Sequence, residues 1–545
     1  MAPRPSCAGG AEGGEAAGSV ASDLELRLLQ VTIRHGDRSA IHDLPNAVVQ
    51  KWRCQPFSEE IQRKWEGVSR FSVQNVDGTP LSRSFTPEVY AQEELEQLGN
   101  EFNKGQANVL CKHGQLTETG IRQHLTLGEH MRQAYHALLG GDLAEEEIYI
   151  RSTDYTRTFE SAAAFLMSFF PGSSGMTIIT DDNEDNEVMH GIGLKATASE
   201  HGNGGPEIVT AGQCDRAATL TENQIRQFKP RADVVADLQG LFGEGVLGLQ
   251  LTSIADSLHS LSCHNMTLPC SDKGCVSPNL ALSVMAEADR QMCMKYNGAA
   301  GGGEAAALSL YPFTTEILTN MRRALSGESA TKFALFSGHD TVVAPLLAAF
   351  GAYDCRWPPY ASHVAFELWS KPPTSGAGNK DDPRRRALLE GGENGAAAAA
   401  AAAAALGVEG NSGKNPRSLA AGEAGGKEAL GVRSLLNSPQ DGSTLTRVAQ
   451  EEDSSDEGEG GRGKEEQEEE GHDVEEGRGV QEAYVRVTFQ GMPVTHRVTD
   501  CAPFEGPYGR EFCPLSLFAK TVARALGPHE TLTEACQAKV DTTGK

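Results

Sequence analysis

Three apolar segments of this chain each end in charged or polar residues, and this repeated pattern limits the fold more than any other feature. The segment 28–33 runs into Arg34-His35-Gly36-Asp37-Arg38, the segment 148–150 into Arg151, and the segment 333–336 into a turn that carries His339 and Asp340. Helical patterns follow the second and third segments, from about 157 and 342. Strands that alternate with helices in this way predict an α/β fold built on an open parallel sheet.

The charged residues at these strand ends indicate a binding site. In an open parallel sheet, ligands bind in the crevice outside the carboxyl ends of the strands. Arg34 and Arg38 place two permanent cations around His35, and arginine presents a donor fork that matches the oxygens of a phosphate. The three strand ends together therefore predict a crevice built for an oxyanion.

These segments, in this order, resemble the histidine acid phosphatase branch of the histidine phosphatase superfamily. The resemblance includes Gly114-Gln115-Leu116-Thr117 and the segment 149–157, and it covers about 24–369 and 482–522. It implies a three-layer α/β fold of the phosphoglycerate mutase type, with a mainly parallel sheet, flanking helices and a smaller, mostly helical cap from 42–109 and 190–320. Within the family, the segments 263–270, 357–362 and 512–515 resemble the 2-phosphoxylose phosphatases of proteoglycan biosynthesis.

The resemblance also implies a role for each candidate residue. His35 would attack phosphorus and form a phosphohistidine, and Asp340 would be the general acid that protonates the leaving group. The phosphate-binding residues would be Arg34, Arg38, Arg151 and His339. No metal and no other cofactor is expected. A simpler reading of the His339-Asp340 pair is helix capping, because Asp before a helix satisfies free backbone donors.

Three functions remain open at this point. The first is an acid phosphatase that removes the 2-O-phosphate from xylose in the glycosaminoglycan linkage region, with proteoglycan biosynthetic enzymes as possible partners. The second is a general acid phosphatase of phytate, lysophosphatidate or other small phosphate esters. The third is an inactive phosphate- or glycan-binding protein, which the presence of both His35 and Asp340 disfavours. A net charge of -26 argues against nucleic acid as a partner.

Composition divides the chain into folded and unfolded parts. We expect disorder at 1–23 and at 371–480, since the latter holds ten consecutive alanines at 396–405 and an acidic block at 451–476. The catalytic domain would comprise 24–370 and be completed by 481–525, followed by a tail at 526–545. The strand patterns at 363–369 and 483–489 predict a pair joined by this long insertion, because loop-closure cost rises only slowly with length.

The cysteines indicate the compartment. Twelve cysteines and one sequon, Asn265-Met266-Thr267, favour a disulfide-bonded glycoprotein of the secretory pathway, and the family resemblance implies the Golgi lumen. Cys501 with Cys513 is the preferred disulfide pair. Residues 1–22 contain no apolar stretch long enough for a signal peptide or anchor, so we expect a truncated start. The alternative is a cytoplasmic protein with reduced cysteines.

Overall fold

The computed structural model describes residues 23–372 and 482–540, apart from 49, 55–56, 92, 95–109, 174, 183–186, 192–213 and 298–300. The disorder expected at 1–22 and 373–480 therefore lies outside the described residues. Among the helices that are described, none has both the length and the apolar character that crossing a membrane requires.

The described strands form one large sheet and one small hairpin. They are β1 Glu25–Arg34, β2 Phe71–Asn75, β3 Pro80–Leu81, β4 Ile148–Ser152, β5 Met176–Thr180, β6 Cys270–Ser271, β7 Gly274–Cys275, β8 Phe333–Gly338, β9 His363–Ser370, β10 Ala483–Phe489, β11 Met492–Pro493 and β12 Cys513–Pro514. The large sheet has the order β11-β10-β9-β1-β8-β4-β5-β2-β3, with β12 paired to β10, and β6 pairs with β7 in the hairpin.

The centre of the large sheet is parallel and its flanks are antiparallel. β1, β8, β4, β5 and β2 pair parallel, whereas β9 runs antiparallel to both β1 and β10. This confirms the predicted α/β class, with antiparallel strands added on both sides of the parallel centre. β9 and β10 pair from Ser370↔Ala483 to Val364↔Phe489, so the strands on either side of the insertion are neighbours, as the sequence predicted.

The described helices lie on both faces of the sheet and in the cap. They are α1 Glu59–Trp65, α2 Glu118–Tyr135, α3 Thr156–Phe169, α4 Asp215–Gln227, α5 Ala232–Phe242, α6 Leu251–Cys263, α7 Pro278–Asn297, α8 Gly302–Ser309, α9 Tyr311–Ser326, α10 Asp340–Ala349, α11 Leu515–Ala523 and α12 Leu532–Gln537. Successive residues of β1 point to opposite faces: Leu28 packs with α9, α10 and α11, whereas Leu29 and Val31 pack with α2 and α3. The result is the expected three-layer core.

The cap is smaller than the sequence interpretation made it. α5, α6 and α7 pack on one another and on Leu44 in an apolar cluster of their own. α8 and α9 instead pack on the core beside β8 and α10. The range 42–109 also supplies β2 and β3 of the main sheet, because Phe71 and Val73 are buried on alternate positions of a strand that pairs with β5. Whether a segment belongs to the cap or to the core depends on tertiary packing, which the spacing of apolar residues in the sequence does not reveal.

Five disulfides join the described residues. They are Cys54–Cys111, Cys214–Cys536, Cys270–Cys275, Cys293–Cys355 and Cys501–Cys513. The last is the pair preferred from the sequence. Cys293–Cys355 links the cap helix α7 to the loop that precedes β9, and this loop contributes to the site described below.

Candidate active site

Adjacent strands bring the predicted residues other than Arg151 together at one edge of the sheet. β8 lies between β1 and β4, with Arg34 in register with Gly338 and Ser152 with Ser337. The residues that follow β1 and β8 are therefore neighbours, and the rings of His35 and His339 lie with their centroids 5.4 Å apart. The crevice is at the carboxyl ends of the parallel strands, where such folds bind ligands.

His35 is held with one ring nitrogen free to react. Its Nδ1 lies 2.8 Å from the carbonyl oxygen of Gly36, and because a carbonyl only accepts, Nδ1 carries the proton and Nε2 keeps its lone pair. The side chain is 2% exposed. Burial, followed by the charges of Arg38 and Arg157, lowers the pKa of His35 well below 6.5. The surroundings of His35 therefore favour the neutral imidazole.

Glycine at position 36 is a steric requirement of this loop. A Cβ at Gly36 would come within 2.4 Å of the carbonyl oxygen of Gly120, and one at Gly120 would come within 2.2 Å of the oxygen of Asp37. Both glycines therefore permit the loop after β1 to lie directly against the first turn of α2. That turn is capped by Thr117, whose hydroxyl accepts from the Gly120 amide.

Arg34 is fixed beneath the site by the loop before β9. Its Nη1 donates to the carbonyl oxygen of Pro358 at 2.5 Å, and its guanidinium carbon lies 4.2 Å from the ring centre of Tyr360. Its Nη2 is 3.4 Å from Oδ2 of Asp340. The side chain is fully buried, so its charge acts on the crevice with little screening by solvent.

Arg38 is held by a cap residue. Its Nη2 and Nη1 donate to the two carboxylate oxygens of Asp256 on α6, at 2.8 and 3.1 Å. Sequence reasoning missed Asp256, which carries no recognisable motif and lies 218 positions further along the chain. The cap thus contributes directly to the electrostatics of the site.

Asp340 begins α10, and its surroundings favour the ionised carboxylate. Its Oδ1 accepts from the backbone amide of Thr341 at 2.9 Å, and its Oδ2 accepts from the indole nitrogen of Trp357. Burial alone would raise the pKa of Asp340, but the charge of Arg34 and the Trp357 hydrogen bond outweigh it and hold the pKa below its usual value. The N-cap of α10 is His339, which makes no capping bond through its side chain, so the capping predicted for this pair is limited to the bond that Asp340 accepts from Thr341. His339 lies with Nε2 3.0 Å from Oγ1 of Thr153.

Arg151 is placed away from His35, which does not fit the phosphate-binding role predicted for it. Its Nη1 bonds Glu316 at 3.0 Å and its Nη2 lies 3.4 Å from Glu187. Residues two apart on a strand share a face, so Arg151 points with Tyr149 toward α9, where the Tyr149 hydroxyl also bonds Glu316. Two carboxylates already match its charge.

Arg157, which sequence reasoning passed over, faces the crevice instead. It lies in the first turn of α3, with its guanidinium carbon 4.3 Å from the ring centre of Tyr155. Burial and the charge of Arg38 lower the pKa of Arg157 to about 10, and its charge in turn lowers the pKa of His35. The available signal was its position, because Arg157 lies in the first turn of a helix that begins just after a strand end.

The arrangement joins a neutral nucleophile, three guanidiniums and a carboxyl group in one crevice. Fixed positive charge of this kind stabilises a transferring phosphoryl group. Among the described residues, no group of three or more His, Cys, Asp or Glu side chains could hold a metal ion.

Comparison with known proteins identifies the family. The model of the histidine phosphatase superfamily (branch 2) matches residues 25–239 and 290–386. The chain belongs to this family. It is a phosphomonoesterase of the histidine acid phosphatase type, which confirms the resemblance drawn from its motifs.

The proteins to which this histidine phosphatase is similar have several different names. Counting factor 60 of Dictyostelium discoideum is 30% identical over 361 residues, 64% of this chain and 77% of that protein. The 2-phosphoxylose phosphatase 1 of Xenopus tropicalis is 26% identical over 381 residues, 65% of this chain and 66% of that protein. The prostatic acid phosphatase of Homo sapiens is 29% identical over 266 residues, 47% of this chain and 65% of that protein.

The sequon lies outside the crevice. Asn265 follows the end of α6 with its side chain exposed and with a φ of 52°. An exposed side chain at a turn is accessible to glycosylation, and Asn tolerates this left-handed backbone better than most residues.

Proposed function

We propose that this histidine phosphatase hydrolyses phosphomonoesters through a phosphohistidine on His35, and that its substrate is the 2-O-phosphate of xylose in the glycosaminoglycan linkage region. The observation that carries the mechanism is the bond from His35 Nδ1 to the Gly36 carbonyl oxygen. It leaves a neutral imidazole with its Nε2 lone pair free, among cations that attract a phosphate.

In the first step, Nε2 of His35 attacks phosphorus as the bond from phosphorus to the leaving oxygen breaks. Asp340, protonated in the substrate complex, gives its proton to that oxygen and releases the alcohol. The negative phosphate favours this protonation because it offsets the charge of Arg34, which otherwise keeps Asp340 ionised. The developing charge is stabilised by Arg34, Arg38, Arg157 and His339.

In the second step, water replaces the alcohol. Asp340 accepts a proton from the attacking water, the bond between phosphorus and Nε2 of His35 breaks, and inorganic phosphate leaves. The carboxyl group of Asp340 therefore handles the proton in both steps. It is protonated again at the end of the cycle. In this scheme Arg157 takes the place first assigned to Arg151, because Arg157, and not Arg151, is among the residues whose charges lower the pKa of His35.

The substrate proposal is supported by relatives. Several matching proteins are named 2-phosphoxylose phosphatase 1, including those of Xenopus tropicalis and Mus musculus, each 26% identical to this chain. The similarity to prostatic acid phosphatase keeps a general acid phosphatase as the second candidate.

The secretory pathway, and within it the Golgi lumen, is the compartment we propose. The five disulfides among the described residues support this, because such bonds persist in oxidising compartments. The exposed side chain of Asn265 in its sequon agrees with this location.

Phosphate release from a glycan that bears 2-O-phosphoxylose tests the proposal. The purified chain is assayed from acid to neutral pH beside p-nitrophenyl phosphate, with His35→Ala as the control for contaminating activity. A higher kcat/KM for the glycan supports the proposed substrate. Activity on the aryl phosphate alone indicates a general acid phosphatase, and no activity on either overturns the mechanism.

A further inference from the structure

Asp340 receives a hydrogen bond from outside the two motifs that define the site. The indole N–H of Trp357 donates to Oδ2, the same oxygen that faces Nη2 of Arg34 at 3.4 Å. Oδ1 accepts from the backbone amide of Thr341 at 2.9 Å. Trp357 itself is half-buried and stands in the loop before β9, 17 positions from Asp340.

The two oxygens of the Asp340 carboxyl group differ in their surroundings, because two donors face Oδ2. Oδ2 faces an indole N–H and a guanidinium, neither of which can accept a proton from it. A proton on Oδ2 would compete with these donors for the oxygen's lone pairs. Oδ1 meets a single backbone donor among the contacts of the described residues, so it keeps a position for the proton that passes to the leaving oxygen.

The cap fixes the position of Trp357. Its backbone amide donates to Oδ1 of Asp289 on α7 at 2.8 Å, and its side chain packs against the apolar cluster of the cap. The disulfide between Cys293 and Cys355 ties the same loop to α7 two residues earlier. Trp357 is thereby held through its backbone amide and through its ring. The indole therefore has little freedom to move away from Asp340.

We propose that Trp357 is a positioning residue, which fixes the orientation of the Asp340 carboxyl group and leaves Oδ1 as the oxygen that delivers the proton. The inference rests on the proposed role of Asp340 as general acid. It extends that role to a residue of the loop before β9, and through Asp289 to the cap.

The electrostatic surroundings give the proposal a measurable consequence. The charged and titratable groups that act on Asp340 or feel its charge are Arg34, Arg38, Arg157 and Tyr353. Of the influences on Asp340 itself, the Trp357 hydrogen bond follows burial and the charge of Arg34 in size, and it lowers the pKa. Loss of the indole donor alone therefore raises the pKa of Asp340 while every charged group stays in place.

Trp357→Phe tests this by removing the N–H and keeping an aromatic ring. We expect kcat/KM for an alkyl phosphate such as β-glycerophosphate, whose leaving group needs a proton, to fall by about tenfold or more. We expect kcat/KM for p-nitrophenyl phosphate, whose leaving group needs little protonation, to change by less than about threefold. The alkaline limb of the kcat/KM profile should move to higher pH, because loss of the indole donor raises the pKa of Asp340.

Trp65→Phe is the matched control. The indole of Trp65 is buried and donates to the carbonyl oxygen of Phe85 at 3.1 Å. Its replacement therefore removes an indole hydrogen bond that does not involve Asp340. It should leave the pH profile and the leaving-group dependence unchanged. Asp289→Ala, which loosens the anchor and keeps the indole, should change both in the direction of Trp357→Phe and by less.

Asp340→Asn separates this proposal from the mechanism on which it rests. Suppose that Asp340→Asn loses activity most on the alkyl phosphate, whereas Trp357→Phe has the same alkaline limb and the same leaving-group dependence as the wild type. The proposed role of Trp357 is then refuted and the mechanism stands. If Asp340→Asn shows no dependence on the leaving group, both fail. If Trp357→Phe does not fold, the Asp289→Ala result decides.

Discussion

Arg38 and Asp256 form a two-point ion pair between the loop after β1 and the cap helix α6, with nitrogen–oxygen distances of 2.8 and 3.1 Å. Their side chains are only 4% and 8% exposed, so the pair is screened little by water. Asp256 is thus the permanent counter-charge of a residue that we propose binds phosphate. A phosphate ion at Arg38 and the carboxylate of Asp256 act on the same guanidinium.

Replacement of Asp256 by Asn should make stability depend on phosphate. The change leaves the buried charge of Arg38 uncompensated, and removal of one partner of such a pair costs about 3–5 kcal/mol. A bound phosphate replaces the lost charge, so thermal unfolding with and without inorganic phosphate should show a larger gain for Asp256→Asn than for the wild type.

The control is Asp500→Asn, which breaks a two-point ion pair with Arg524 in the C-terminal segment, where the Arg524 side chain is 56% exposed. It should lose stability and respond to phosphate as the wild type does. Equal phosphate responses in Asp256→Asn and the wild type would contradict this account of Arg38.

Substitution of Arg157 should lower activity, whereas substitution of Arg151 should lower stability. Arg157→Gln removes a cation that acts on His35, and loss of one such donor to a transition state costs about 10²-fold in kcat. Arg151→Gln instead leaves Glu187 and Glu316 without their shared partner, which should lower the free energy of unfolding by about 3 kcal/mol and change kcat/KM by less than about threefold. Steady-state kinetics and urea unfolding of both variants distinguish the roles, and the opposite pattern would restore Arg151 to the site.

His363 should make the protein less stable in acid. Burial lowers the pKa of His363 to about 4, whereas in the unfolded chain it is near 6.5. Between these values the unfolded chain binds the proton and the folded one does not. Stability is therefore complete above pH 6.5 and is lost as pH falls toward 4, by up to about 3 kcal/mol from this group. Urea unfolding of His363→Phe and His363→Gln should show a smaller loss between pH 7.5 and 4.5 than the wild type. An identical loss would mean that His363 is not the group responsible.

Removal of residues 375–478 should leave fold and activity intact. The strands on either side pair directly, and Lys371 Nζ lies 2.7 Å from Oε2 of Glu482 where the two strands begin to separate. A short turn can therefore join β9 to β10 without moving either. Circular dichroism and kcat/KM on p-nitrophenyl phosphate should match those of the full chain. An insoluble or inactive deletion variant would show that the insertion supports the catalytic domain.

Two of the predicted site residues share a local signal in the sequence. His35 and Asp340 follow apolar strands directly, so the strand pattern and the order of neighbouring strands were enough to place them at one edge of the sheet. The pairing of β9 with β10 was predictable for the same reason, since each strand is apolar and the insertion between them is not.

The residues that sequence reasoning assigned to the wrong place or missed depend on side-chain direction or on distant packing. Arg151 sits in a strand, and whether it points to the crevice or to α9 depends on a register that one sequence does not reveal. Asp256 and Trp357 reach the site from the cap and from a loop, and their contacts follow from tertiary packing. The sequence interpretation was wrong about the helices α8 and α9 for the same reason, because an apolar helix face does not specify which layer covers it.

The central claim is that His35 carries the phosphoryl group, and trapping that intermediate tests it most directly. The enzyme is mixed with a ³²P-labelled phosphate ester, quenched within a turnover, and mapped by peptide. The account predicts a label that survives alkali, is lost in acid, lies on the peptide containing His35, and is absent from His35→Ala. A label on any other residue, or full activity of His35→Ala, would contradict it.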